Sequence, residues 1–179
     1  NYFDQVVLIK NVQITQALVG FSRLNPDKVS ESYNLLSMKE KKWLPGVAST
    51  GEGIFIKFNE DNLQKWINNL NYPKINYLKQ KISTSKNRGE PIFTDRSEDR
   101  ISERFLLLHT FSHSIINQIS FDSGYPVSQI SERLYDSEER ETLMAGVFIY
   151  TSSGDAEGSL GGLFEKGKPG YLENIIKDA

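Results

Sequence analysis

Two histidines offer the clearest chemistry in this sequence. His109 and His113 lie four residues apart in a segment with helical periodicity, and the chain has no others. On an α-helix this spacing places both imidazoles on one face, about 40° apart, and it is a common spacing of metal ligands. The segment between them lacks the glutamate that acts as base in zinc proteases of the His-Glu-x-x-His type. Two interpretations follow: a metal site, or two mostly buried histidines that hydrogen bond to backbone or carboxylate groups, which we favour.

Two carboxylates are the candidate partners of these histidines. Asp155 and Glu157 follow a predicted buried strand in a Gly-rich segment, and ligands often gather beyond the carboxyl ends of strands. A helix starting near Leu160 would aim its free N–H groups at this loop, which suits an anion. Alternatively, the two acids cap that helix and pair with His109 or His113. We expect Asp155 or Glu157 near one imidazole, in a structural role without catalysis.

Basic and aromatic residues are mixed in the first half of the chain. Lysines surround Trp43 and Trp66, and such mixtures can hold a nucleic-acid backbone and stack bases. A solvated surface is the alternative interpretation. If DNA is bound, we expect the contacts to come from this basic half and not from the acidic second half, through Lys39, Lys41, Lys42, Lys57 or Arg88.

A long helix must position the histidines. The pattern predicts it from about residue 98 to residue 121, capped by Asp95 or Ser97 and stopped by the turn residues Asp122–Pro126. From Phe105 to Ile119 the segment is apolar on almost every face. The sequence therefore predicts a central buried helix.

Shorter elements surround this helix. Together they predict an α+β fold, with a small sheet packed on the central helix and further short helices. The predicted strands are Val6–Ile9 and Val12–Phe21 (or one broken strand), Ile54–Phe58 and Leu143–Thr151. The predicted short helices are Asn59–Asn69, Ser128–Tyr135 and one that starts at Tyr171.

The amino-acid composition excludes several classes of protein and of functional site. The 179 residues contain no cysteine, which excludes disulfides, cysteine zinc ligands and thiol catalysis within them and fits a cytoplasmic location. No apolar run approaches the ~18 residues of a membrane-spanning helix. Residues 1–89 carry 13 Lys and Arg against 7 Asp and Glu, whereas residues 90–179 carry 8 against 16. This asymmetry predicts a basic region over residues 1–85 and an acidic region over residues 90–179.

Three segments of the second half resemble the helicase-associated family called the MrfA zinc-binding (MZB) domain. They are Leu106–His113, Gly146–Thr151 and Asp155–Leu163, whose order and spacing fit the family. The zinc cysteines of the family normally follow the last helix. We therefore expect no metal or other cofactor on the residues of this chain, and zinc on cysteines downstream of Ala179. Since the chain begins with Asn1 and not Met, we expect a fragment of a longer protein.

The first half resembles the DrmB family, the MZB-bearing component of the DISARM anti-phage system. The resemblance rests on Ala17–Arg23, Trp43–Gly46 and Gly51–Phe55. It implies a non-catalytic partner of a DrmA-like helicase subunit that acts on foreign or damaged DNA. One alternative is a metal-dependent hydrolase or nuclease that uses His109, His113, Asp155 and Glu157. Another is a purely structural bridge inside a defence complex.

Overall fold

The computed structural model describes an α+β protein, in which one antiparallel sheet packs against helices, and confirms the predicted fold class. For residues 20–22 and 32–34 the backbone alone is described. The described residues are 2–18, 20–22, 32–34, 43–69, 76, 77, 80, 81, 84, 102–139, 141–151 and 162–179.

The main sheet has four strands. They are β1 (Phe3–Ala17), β4 (Gly46–Phe58), β5 (Ile130–Ser137) and β6 (Met144–Thr151), and a separate short ribbon pairs β2 (Gly20–Ser22) with β3 (Ser32–Asn34). The strand order is β1-β4-β6-β5, with antiparallel neighbours throughout. The register of β1 shifts between Ile9 and Val12, a bulge at the break that the sequence predicts.

The sheet takes strands from both regions of the chain. Strands β1 and β4 belong to the basic region, β5 and β6 belong to the acidic region, and β4 pairs directly with β6. The boundary expected between residues 85 and 90 lies outside the described residues, so the division into two regions stays a prediction.

Four helices accompany this sheet within the described residues: α1 (Glu60–Asn69), α2 (Glu103–Ser123), α3 (Gly162–Lys166) and α4 (Tyr171–Asp178). Each contributes apolar side chains to one buried cluster with β4 and β6, so all four lie on the same face of the sheet. The fully buried centre of this cluster is Ile54, Ile56, Leu108, Ile119, Val147, Ile149 and Leu163. Burial of each such side chain contributes about 1.5–3 kcal/mol. None of the described helices is both long and apolar enough to cross a membrane.

Helix α2 starts later and is less buried than the sequence predicts. Ser102 has extended backbone angles, and its side chain accepts a hydrogen bond from the N–H of Phe105, so the helix begins at Glu103 and not near residue 98. The predicted caps Asp95 and Ser97 lie outside the described residues. The predicted stop is confirmed, since Gly124 caps the C-terminus in the left-handed conformation. One stripe of the helix is exposed, and it contains Thr110, His113, Asn117 and Phe121.

The predicted helix Ser128–Tyr135 is wrong. Only a 3-10 turn occupies Val127–Gln129, and the chain then forms edge strand β5 from Ile130 to Ser137, paired along its whole length with β6. Side chains of a strand alternate between the faces of the sheet. Ile130, Glu132 and Leu134 therefore point toward α2, which brings a charged residue to the helix that carries the histidines.

Candidate functional site

The two histidines and Glu132 form a cluster between α2 and β5. Glu132 Oε1 lies 3.4 Å from Nε2 of His113 and 3.7 Å from Nε2 of His109. The two imidazole rings are 4.4 Å apart, centre to centre. This arrangement can act as an ion pair between carboxylate and imidazolium groups, or as a set of three metal ligands.

Neighbouring side chains hold this cluster in place. Ser112 is completely buried, and its hydroxyl donates a hydrogen bond to Oε2 of Glu132. The ring of Phe105 packs against that of His109, with centres 5.6 Å apart. The serine thus orients the carboxylate so that its other oxygen faces the two imidazoles.

The structure corrects the predicted environment of the histidines. Their shared face is confirmed, but the side chains of His109 and His113 are 42% and 55% exposed, so the prediction that they are mostly buried is wrong. Asp155 and Glu157 lie outside the described residues, and their pairing with the histidines stays a prediction. Glu132 supplies the carboxylate that the described residues place there, and sequence reasoning misses it because the pattern of β5 predicts a helix.

A second polar cluster lies at the start of α2. The guanidinium of buried Arg104 donates to both carboxylate oxygens of Glu60, each at 2.6 Å, and its Nη2 also reaches the carbonyl oxygen of Ser137 at 3.4 Å. Its Nε lies 3.0 Å from Oδ1 of Asp136, as an ion pair without hydrogen-bond geometry. Burial lowers the pKa of Arg104, but Glu60, Asp136 and Glu138 together raise it above its ordinary value, so the charge persists.

The two clusters fix how α2 lies along β5. Arg104 and Ser112 are eight residues apart, which is about 12 Å along a helix. Their partners Asp136 and Glu132 are four residues apart, which is about 13 Å along a strand. Because these distances match, both contacts form at once with the helix antiparallel to the strand, and they set the position of the histidines relative to Glu132.

Another buried carboxylate occupies the start of α3. Glu52 in β4 is 6% exposed, and its Oε2 accepts a hydrogen bond of 3.0 Å from the N–H of Phe164. Its own N–H donates to Oγ1 of Thr151 in β6. Glu52 therefore lies inside a strand and caps the start of the neighbouring helix.

The opposite face of the sheet carries aromatic and basic side chains. Phe55 packs edge-on against Tyr135 with ring centres 5.6 Å apart, and Phe148 stacks on Tyr150 at 5.0 Å. Arg133 lies over the Tyr135 ring, at 5.7 Å from its centre. Together with Lys57 these side chains form what we call the aromatic face: Phe55, Lys57, Arg133, Tyr135, Phe148 and Tyr150.

Two glycines make room for the rings of this aromatic face. A Cβ atom on Gly53 would lie 2.4 Å from the Phe148 ring, and one on Gly146 would lie 2.8 Å from the Phe55 ring. Because any larger residue would displace the rings, the glycines let them lie flat across the neighbouring strands. Of the five basic residues expected to contact DNA, Lys57 is described and lies on this face. The other four lie outside the described residues: Lys39, Lys41, Lys42 and Arg88.

These features define an α+β protein with a His–His–Glu cluster on one side of an open sheet and an aromatic, basic surface on the other. The chain is 36% identical to the DISARM protein DrmB of Bacillus paralicheniformis in an alignment of 187 positions that covers 99% of the chain. It spans 32% of the length of that relative. Almost the whole chain is therefore similar to part of DrmB, as the motifs of its first half predict. No protein-family model matches the chain.

Proposed function

We propose that this chain belongs to a non-catalytic, helicase-associated component of a DISARM anti-phage defence system. The observation that carries the proposal is its 36% identity to a DISARM protein, which extends across 99% of the chain. Because the chain spans 32% of that relative, the proposal concerns the contribution of this portion to a larger component.

The partner that we propose is a DrmA-like helicase subunit in the cytoplasm. The motif segments Leu106–His113 and Gly146–Thr151 support the MZB-like assignment of 90–179, since α2 and β6, which contain them, pack together in one core. Zinc on cysteines downstream of Ala179 belongs to the same proposal.

Phage challenge tests this role in cells. Deletion of the gene from a strain with the whole defence system should restore plaque formation, and the intact gene should suppress it again. The tagged protein should also co-purify with the DrmA-like subunit from the same cells. Full phage resistance without the gene would contradict the proposal.

The aromatic face is the surface that we propose for DNA. Lys57 and Arg133 supply charge for phosphates. The Tyr135 ring is exposed and the other rings of this face are partly buried, so unpaired bases can stack on them. The combination favours single-stranded DNA, because the bases of a duplex are already stacked. Arg133 belongs to the acidic half of the chain, so this proposal departs from the sequence-based expectation that only the basic half contacts DNA.

Charge reversal at two positions tests this surface. Lys57→Glu with Arg133→Glu should weaken binding of a single-stranded oligonucleotide and reduce the steepness of its salt dependence by about 1.4, as expected for two lost phosphate contacts. Lys177→Glu, on the exposed side of α4 and away from the aromatic face, is the control and should leave the affinity much less changed. Equal effects of the two variants would refute the interface.

A metal-dependent hydrolase or nuclease is the second candidate, and the convergence of His109, His113 and Glu132 is what favours it. The buried hydroxyl of Ser112 is bonded to Glu132 and is not available as a nucleophile. Cleavage would therefore have to use a metal-activated water. The non-catalytic role that we propose predicts no cleavage of single- or double-stranded DNA with Mg²⁺, Mn²⁺ or Zn²⁺. Cleavage that His113→Ala abolishes in a folded protein would establish the enzyme instead.

A further inference from the structure

We propose that His109, His113 and Glu132 bind a divalent transition metal ion, best fitted by Zn²⁺, which links α2 to β5. The three side chains each offer one ligand atom, and these atoms all lie within 4.8 Å of one another. The site is separate from any cysteine zinc centre, because the 179 residues contain no cysteine. The proposal replaces the sequence-based expectation that no residue of this chain binds a metal.

The two distances from Glu132 Oε1 to the imidazole nitrogens are closer to the spacing of zinc ligands than to that of direct hydrogen bonds. Zinc bonds to imidazole nitrogen and carboxylate oxygen are about 2.0–2.2 Å long. The edge of a tetrahedron built on such bonds is about 3.3–3.6 Å. Glu132 Oε1 lies 3.4 Å and 3.7 Å from the two Nε2 atoms, which is beyond the ordinary N–H···O range of about 2.7–3.2 Å.

The supporting contact is also typical of a metal site. Carboxylate ligands are commonly oriented by a further hydrogen bond, and loss of such a partner weakens metal binding by about 10–100-fold. Ser112 makes this bond to Oε2 of Glu132 and leaves Oε1 directed at the imidazoles. The ligand set therefore includes a fixed carboxylate and two histidines held by one helix.

Exposure decides how an ion reaches the site. Half-exposed imidazoles let a hydrated ion enter without unfolding, and they leave the remaining coordination positions to water. Two imidazoles and one carboxylate suit Zn²⁺, Co²⁺ and Ni²⁺, whereas Mg²⁺ and Ca²⁺ prefer sites made of oxygen atoms. Since α2 and β5 each supply ligands, the bound ion would stabilise their contact.

Metal titration of the purified chain tests the proposal. After removal of metal with a chelator, calorimetry should detect one equivalent of Zn²⁺ and no comparable binding of Mg²⁺. At a free Zn²⁺ concentration about 100 times Kd, the melting temperature should rise by about 5–10 °C. Co²⁺ should give the visible absorption of a four- or five-coordinate ion.

Three variants and one control assign the ligands. His113→Ala should weaken Zn²⁺ binding by more than about 100-fold, beyond the effect of a supporting residue. Glu132→Gln, which keeps an acceptor for Ser112, should do the same without unfolding the chain. Ser112→Ala should weaken binding about 10–100-fold. Asn117→Ala, one turn along the same exposed stripe, should bind Zn²⁺ as the original chain does.

Two results would overturn the site. One is a lack of detectable Zn²⁺ binding by the original chain, judged by both calorimetry and melting temperature. The other is equal Zn²⁺ affinity in folded His113→Ala, folded Glu132→Gln and Asn117→Ala, which would place the ion on surface carboxylates. Circular dichroism without metal separates loss of ligands from loss of fold.

Discussion

The two polar clusters that join α2 to β5 differ in how far solvent reaches them. At the start of the helix, the side chain of Arg104 is 5% exposed, and Asp136 beside it is 7% exposed. Two turns further on, His109 and His113 are about half exposed around a carboxylate that is 20% exposed. The same pair of elements thus carries one sealed contact and one accessible contact. The sealed contact serves stability, and the accessible one leaves space for a ligand.

The largest expected loss of stability follows removal of the buried positive charge of Arg104. Arg104→Met should lower the free energy of unfolding by about 3–5 kcal/mol, because it removes the buried guanidinium that contacts both Glu60 and Asp136. Urea denaturation measures the loss. Arg133→Met, on the other face of the same sheet, is the control and should cost less than about 1 kcal/mol.

A combined variant sharpens this result. Adding Glu60→Gln and Asp136→Asn to Arg104→Met removes the two negative charges that Arg104 contacts in the original chain. This triple variant should recover some of the lost stability. A loss below about 1 kcal/mol in Arg104→Met alone would show that the cluster is not a structural anchor.

An intermediate effect is expected at the buried serine that supports the accessible cluster. Ser112→Ala removes the hydroxyl that donates to Glu132 and should cost about 1–3 kcal/mol in urea denaturation, since the hydrogen bond involves a charged acceptor. Ser114→Ala, elsewhere on the same helix, provides the comparison and should cost less. Equal free energies of unfolding in the two variants would show that the Ser112 hydroxyl does not stabilise the cluster.

The smallest effect on stability is expected at the accessible cluster. His113→Ala in a chelator should change the free energy of unfolding by less than about 1 kcal/mol, because a half-exposed ion pair contributes little. The same variant should lose the stabilisation that Zn²⁺ gives. If His113→Ala without metal lowered the free energy of unfolding as much as Arg104→Met, the two clusters would contribute equally to stability, contrary to this comparison.

Local signals explain the elements of the fold that the sequence predicts. Asn59 is predicted at the start of a helix, and its side chain accepts the N–H of Asn62 just before α1. Gly124 ends α2 because glycine adopts the left-handed conformation that the cap requires. Strand β6 is predicted from its continuous apolar run. Alternate side chains of this run fill the core, and Phe148 and Tyr150 lie partly buried on the aromatic face.

The site itself could be predicted only incompletely, and β5 shows why. Ile130 and Leu134 are four residues apart, a spacing that satisfies the period of a helix and, being even, also that of a strand. On a helix Glu132 would point away from them, whereas on a strand it shares their face and reaches the histidines. The pairing of Arg104 with Glu60 joins residues 44 positions apart, and no local pattern encodes such a contact.

Anomalous diffraction at the zinc absorption edge tests the central claim most directly. Crystals of the chain grown with Zn²⁺ should show a peak bonded to Nε2 of His109, Nε2 of His113 and Oε1 of Glu132 at about 2.0–2.2 Å. The peak should vanish in crystals of His113→Ala. A well-ordered cluster without a peak at saturating Zn²⁺ would contradict the metal site and leave these residues as an ion pair alone.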